Sequence, residues 1–100
     1  MIEKILGTWT SNVKGHEKLV LDRDKWHKDG ERGLWNVQED EIWMIDEDLK
    51  AGIKWQFTLE GRDTLIFHDP EDFIYQGHGN YLYMQFSPAN LRIVFTRSIT

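Results

Sequence analysis

The chain has 100 residues, no cysteine and a formal net charge of −5 at pH 7, which excludes disulfide bonds and thiolate metal sites and disfavours nucleic acid as a partner. This length predicts a single domain over residues 1–100, whose stability comes from a core rich in aromatic residues, 13% of the chain. Because no secretory leader and no apolar run of membrane-spanning length is visible, we expect a soluble cytoplasmic protein with no membrane contact.

Short β runs separated by turn residues follow one another along the chain. The runs are residues 5–11, 18–22, 25–28, 34–38, 41–46, 53–60, 64–68, 73–76, 81–86 and 91–99. The clearest is the run that holds Ile53, Trp55 and Phe57, in which apolar and polar residues alternate with the period of a half-buried strand. Turn residues separate the runs, as at 61–63, 69–71 and 77–80.

Strands this short and this numerous are typical of an antiparallel meander. A small all-β chain must stack two sheets or close into a barrel to remove its free edges. Closure is favoured because consecutive strands can pair throughout, so we predict an all-β, antiparallel, up-and-down barrel of about eight to ten short strands. Alternation predicts these inward side chains: Trp9, Leu19, Leu21, Ile53, Trp55, Phe57, Leu59, Leu65, Phe67, Phe73, Tyr75, Leu82, Met84, Phe86, Leu91, Ile93 and Phe95. So many large residues leave space only for a compact ligand at the open end.

The first strand carries Gly7 and Trp9 in the stretch "LGTW", which resembles the signature of the lipocalins and their calycin relatives. In that family the Trp plugs the base of the barrel and an Arg from the last strand stacks on it. Arg97 is inward by alternation and fits this role. The stretches "LVLDRDKW", "RGLWNV" and "EGRDTLIF" are similar to small bacterial lipocalin-like domains. The resemblance implies a barrel closed by Gly7, Trp9 and Arg97, and a small apolar or aromatic ligand.

The first strand is also similar to that of the avidins. No matching polar set follows it in the chain, so biotin binding is not inferred.

Four histidines raise the question of a metal site or an enzyme. They are His16, His27, His68 and His78. His68 and His78, with Asp69 and Asp72, straddle two turns, but no pair has the spacing of a preformed metal site. We interpret the histidines as solvated turn residues and predict no metal, no cofactor and no catalytic residues. A small enzyme using His and Asp is the third functional hypothesis.

Acidic residues flank four apolar residues in the segment 39–48. A calcium loop requires oxygen ligands on a Gly-bent loop, whereas this segment has the pattern of a strand between acidic turns. We interpret it as a charged edge strand that prevents unwanted strand pairing.

Four aromatic residues exceed what the inward face can hold: Trp35, Trp43, Tyr81 and Tyr83. They either point outward or cap the barrel mouth, where they would form a ligand site or an interface, or they pack under turns. We expect a non-catalytic binding module: the resemblance implies a small apolar or aromatic ligand, and the packed interior places a compact one at the mouth. The alternative is a cytosolic protein-interaction or inhibitor protein that uses the acidic edge and outward aromatics, with a homodimer as one form of it.

Overall fold

A computed structural model describes residues 2–48, 50–77, 80–84 and 91–98, with side chains for 3–48, 50–74 and 91–98. The described part contains a helical turn, α1 (Ile2–Ile5), and nine strands. The strands are β1 (Gly7–Thr10), β2 (Lys18–Asp22), β3 (Lys25–Lys28), β4 (Glu31–Gln38), β5 (Glu41–Asp46), β6 (Ala51–Glu60), β7 (Thr64–Gly77), β8 (Asn80–Met84) and β9 (Arg92–Arg97). Over these ranges, no helix has the length and apolar character needed to cross a bilayer.

The strands form one antiparallel sheet that closes on itself. Neighbours in sequence pair from β1 to β8, and β9 closes the ring by pairing with β1 on one side and β7 on the other. β8 pairs with the second half of β7, beyond β9, so that the barrel itself has eight strands. The predicted all-β, antiparallel, up-and-down barrel is confirmed and fits a calycin-like fold. In the described ladders, β9 pairs with the first half of β7 and not with β8, so this one pairing is not between strands consecutive in sequence.

β7 departs furthest from the prediction, because residues 69–71 do not form a turn between two strands. The chain runs on as one strand of 14 residues, interrupted by a β-bulge where Trp55 of β6 faces both Asp69 and Pro70. Asp69 has φ = 50°, in the left-handed region that Asp tolerates better than most residues. Turn-forming residues here insert one extra residue without ending the strand.

The bulge reverses which residues of β7 point inward. Before it, Phe67 points into the core. After it, Asp72 pairs with Ile53 on the inner face, and Phe73 pairs with Gly52 on the outer face. The prediction that Phe73 points inward is therefore wrong, although the ring is only 2% exposed. A strict two-residue period cannot anticipate such an insertion.

The barrel interior is one hydrophobic cluster. Its buried members are Ile5, Trp9, Leu19, Leu21, Trp26, Trp35, Ile42, Met44, Trp55, Phe57, Leu65, Phe67, Ile93 and Phe95. Ile53, Leu59 and Leu91 are half-buried against it. The predicted inward residues Tyr75, Leu82, Met84 and Phe86 lie outside the described side chains.

The acidic segment 39–48 is not an edge, which corrects the sequence interpretation. Its strand, β5, pairs with β4 along one side and with β6 along the other. The carboxylates at its two ends belong to different turns, at opposite ends of the barrel. Because barrel closure gives β5 a neighbour on each side, its charges have no edge to protect.

Candidate ligand-binding site

One end of the barrel is closed by Trp9 and Arg97. Their backbones pair across β1 and β9, and the Arg97 guanidinium carbon lies 4.2 Å from the Trp9 ring centroid. The indole Nε1 donates a hydrogen bond to the Ile5 carbonyl at 2.9 Å. A guanidinium stacked on a buried indole is a favourable cation–π contact. The structure thus brings together the two side chains that the resemblance assigned to barrel closure.

Arg97 also donates to three backbone carbonyls. Its Nη1 and Nη2 reach the carbonyls of Leu6 and Lys4 at 2.6 and 2.7 Å, and its Nε reaches that of Arg62 at 2.7 Å. Gly7 makes this possible: it has φ = 131°, and a Cβ there would lie 2.9 Å from Arg97 Nη1. The last strand is therefore fixed to both α1 and the β6–β7 turn.

The opposite end holds an open cavity of about 630 Å³. It lies among the β3–β4 turn, the β5–β6 turn and the second half of β7. Its inner wall is formed by the inward residues Trp26, Lys28, Met44, Ile53, Trp55 and Asp72. A concave site with an apolar inner wall is typical of small-molecule binding, and this one also carries seven charged lining residues.

Two indoles, only 7% and 4% exposed, form the apolar wall of this cavity: Trp26 and Trp55. The Trp26 Nε1 donates to the Ile45 carbonyl at 2.9 Å, and so the ring crosses β4 at Gly33. A Cβ at Gly33 would lie 2.7 Å from that nitrogen and 1.8 Å from the Ile45 oxygen. Only glycine leaves space for the indole to make this bond, which fixes the ring in place.

A hydrogen-bonded loop, residues 11–17, lies beside the cavity. Ser11 Oγ donates to the His16 carbonyl at 2.6 Å, and the Ser11 amide donates to the Glu17 carbonyl at 3.0 Å. These bonds hold the His16 ring edge-on to Trp55, with centroids 6.1 Å apart and planes at 87°. His16 thereby contacts Trp55, one of the residues of the cavity wall.

Lys28 is a half-buried amine on this wall. Its Nζ lies 2.8 Å from Nδ1 of His16. Burial lowers the pKa of Lys28, although Glu31, Asp29 and Glu17 favour its charged form. Burial, and next the charge of Lys28, lower the pKa of His16. In its neutral form, with Nδ1 unprotonated, His16 can accept a hydrogen bond from the Lys28 ammonium.

Carboxylates dominate the rim of the cavity. They are Glu31, Asp46, Glu47 and Asp48, and Asp72 adds a fifth carboxylate on the inner wall. Arg32 pairs with Glu47 at 2.8 Å, but both side chains are well exposed, and such a pair contributes little stability. The rim is therefore negative, whereas the wall beneath it carries the Lys28 amine.

A second aromatic cluster lies on the outside of the barrel. Phe73 packs against Trp43 with ring centroids 5.2 Å apart, in the space left by Gly52. Lys54 lies over Trp43 at 5.2 Å and forms ion pairs with Glu71 at 2.9 Å and Glu41 at 3.2 Å. Partial burial alone would lower the pKa of Lys54, but its hydrogen bonds to Glu71 and Glu41 raise it overall.

The four aromatic residues singled out in the sequence do not form one site. Trp35 points into the core, is 6% exposed and donates from Nε1 to the Asp22 carbonyl at 2.6 Å. Trp43 belongs to the outer cluster. Tyr81 and Tyr83 lie in β8, opposite Tyr75 and Phe73 in the backbone register, and their side chains are outside the described part.

The interpretation of the histidines as solvated turn residues is wrong for His16, which is half-buried beside Trp55, and for His27, which lies within β3. His68 does not line the cavity. His68 Nδ1 lies 3.0 Å from the Asp69 carboxylate, while Asp72 is on the inner face and His78 lies outside the described residues. Within the described ranges, no three acidic or histidine side chains converge on a metal-sized site.

Sequence reasoning missed the two polar residues that distinguish the cavity, Lys28 and His16. One signal was present: in "KWHK" the alternation that puts Trp26 inside also puts Lys28 inside. An inward lysine at the end of a strand is unusual and marks a site that contacts water or ligand. No comparable signal exists for His16, because its position depends on the folding of the loop 11–17.

Comparisons of this chain with protein-family models, with curated proteins and with solved structures gave no match.

Proposed function

We propose that this protein is a non-catalytic, cytoplasmic binding module of the lipocalin-like type, whose barrel mouth holds a compact apolar or aromatic small molecule. The observation that carries the proposal is the cavity of about 630 Å³ at the open end, with Trp26 and Trp55 in its wall. Indole faces offer a ligand a large apolar area at low entropic cost. The contacts among Gly7, Trp9 and Arg97 at the closed end support the lipocalin-like assignment.

The test uses benzyl alcohol as a compact aromatic probe, followed by ligand-observed NMR. Ile53→Phe adds a ring to the cavity wall and should weaken binding about tenfold or more, because the probe and the new ring compete for one space. Val94→Phe is the matched control, since Val94 is exposed on the outer face. Equal binding by both variants would place the probe elsewhere and contradict the proposal.

The alternative, a protein-interaction module, is favoured by one observation on the outer face. Leu34 is 40% exposed and lines a groove with Ile45 beside the Trp43–Phe73 cluster. Native mass spectrometry of protein purified from cells separates the two functions. A retained small molecule supports the binding module, whereas a dimer mass without a small molecule supports interaction through this groove.

A further inference from the structure

Lys28 places a primary amine at the wall of an apolar cavity. Its side chain points inward from β3, is half-buried and lines the cavity beside Trp26. Its described polar contact is with Nδ1 of His16, at 2.8 Å. Among the described residues, no carboxylate forms an ion pair with it. The amine therefore faces the cavity with an imidazole, and not a counter-ion, at its side.

This pairing suits covalent chemistry better than ionic binding. An amine attacks a carbonyl carbon only in its neutral form, and burial shifts Lys28 towards that form by lowering its pKa. The neighbouring imidazole is positioned to take up the proton that the amine must lose. Schiff-base lysines in apolar pockets are activated by this kind of desolvation.

The groups around the cavity select the chemical class of the ligand. The five carboxylates of the lining, among them Glu31 and Asp72, outnumber its two basic residues, so they repel an anionic ligand and attract a cationic one. A cationic group, however, forms no bond with the neutral Lys28 amine. A carbonyl group is the neutral function that reacts with this amine, and the carboxylates do not repel it. Indole walls then favour an aromatic body.

We propose that Lys28 captures a compact aromatic aldehyde in the barrel mouth as a reversible imine. The Nζ lone pair forms a bond to the carbonyl carbon while the carbonyl π pair moves to oxygen. His16 takes the proton lost from nitrogen and returns it to that oxygen. The resulting carbinolamine loses water to form the C=N bond. One water leaves and no oxidant or reductant is needed. This inference rests on the proposed function, because it uses the same cavity.

The experiment is reductive trapping with benzaldehyde and cyanoborohydride, followed by peptide mass mapping. We expect one benzyl group on Lys28, added at least about tenfold faster than on Lys25, because the cavity holds the aldehyde next to the amine. Lys25 is an internal control, being exposed on the same strand. Lys28→Arg should abolish the fast label while keeping the positive charge, and His16→Gln should slow it. His27→Gln, exposed on β3, should label like the parent protein.

Benzyl alcohol separates this inference from the proposed function, because it has the same ring and no carbonyl. Binding of benzyl alcohol at the mouth, with Lys28 labelled no faster than Lys25, overturns carbonyl capture and leaves the binding module standing. Failure of benzyl alcohol to bind, with labels spread over the surface lysines, overturns both.

Discussion

Arg97 joins three segments that are far apart in the chain. Through its guanidinium, the last strand is bonded to the carbonyls of Leu6 and Lys4 near the start of the chain and to that of Arg62 in the β6–β7 turn. The same group lies over the Trp9 ring. A lysine has one charged nitrogen and no planar face, so it cannot reproduce this set of contacts.

We therefore expect Arg97→Lys to lower the free energy of unfolding by about 2 kcal/mol, from the lost cation–π contact and the lost charged hydrogen bonds. Urea denaturation followed by tryptophan fluorescence measures this. Arg92→Lys is the control: Arg92 is exposed on the same strand, and its change should stay within about 0.5 kcal/mol. Equal effects of the two variants would show that the closed end does not depend on the guanidinium.

The pairing of Trp9 with Arg97 could be predicted from the sequence, because it needs only the family signature and an unbroken alternation along the last strand. The three carbonyl acceptors could not be predicted. They belong to α1 and to a turn, whose positions depend on how the whole barrel closes. Similarly, the alternation in "KWHK" could have placed Lys28 inward although it was missed, whereas no sequence signal brings His16 to it.

At the level of the strands, Gly33 determines how β3, β4 and β5 fit together. It stands between Trp26 and Asp46 in the register of the sheet. Without a side chain there, the Trp26 indole passes over β4 and bonds to the Ile45 carbonyl on β5. The cavity wall thus depends on an absent side chain in the middle of a strand, where glycine otherwise weakens a sheet.

Gly33→Ala should destabilise the protein by about 2 kcal/mol or more, since overpacking of this kind displaces the indole or the strand. The contrasting variant is Gly61→Ala. Gly61 has φ = 63° but nothing within 4 Å of its would-be Cβ, so it reports backbone strain alone, about 1 kcal/mol. Thermal unfolding of both variants ranks the two effects. A smaller loss at Gly33 than at Gly61 would contradict the account of Trp26.

The bounds of most strands were predictable because turn residues and alternation agree along most of the chain. The prediction was wrong where they disagree. Asp69 and Pro70 have turn chemistry, yet pairing with β6 continues on both sides of them. Long-range pairing overrides the local preference there, and local sequence does not show how many residues of one strand face one residue of another.

Over the whole molecule, the two ends of the barrel have different electrostatic character. At the closed end, the Arg97 guanidinium donates to three backbone carbonyls and stacks on the Trp9 indole. The open end keeps a half-buried amine and imidazole under an acidic rim. The first arrangement stabilises the fold, while the second costs stability because burial disfavours the charged form of the amine.

This difference predicts how stability depends on pH. The pKa of His16 is lower in the folded protein than in the unfolded chain, so the unfolded chain binds this proton more readily. The stability linked to His16 is therefore complete above its unfolded pKa and is lost as pH falls towards its folded pKa. Between about pH 8 and pH 5, His16→Gln should lose less stability than the parent protein in urea denaturation.

His27→Gln controls for the removal of a histidine from the exposed side of β3, and should follow the parent protein at both pH values. If His16→Gln also follows the parent protein, His16 does not keep its half-buried position beside Lys28 and Trp55 in solution.

The extra residue at Asp69–Pro70 determines which side chains of the second half of β7 point into the barrel and which point outward. Deleting one of the two would bring β7 back into step with β6 and exchange the faces of every residue after it. The benzyl ring of Phe73 would swing into the mouth, and the carboxylate of Asp72 would turn out to solvent. A deletion of one residue would thus fill the barrel mouth with the Phe73 ring. It would also remove that ring from the outer face, where it covers Gly52.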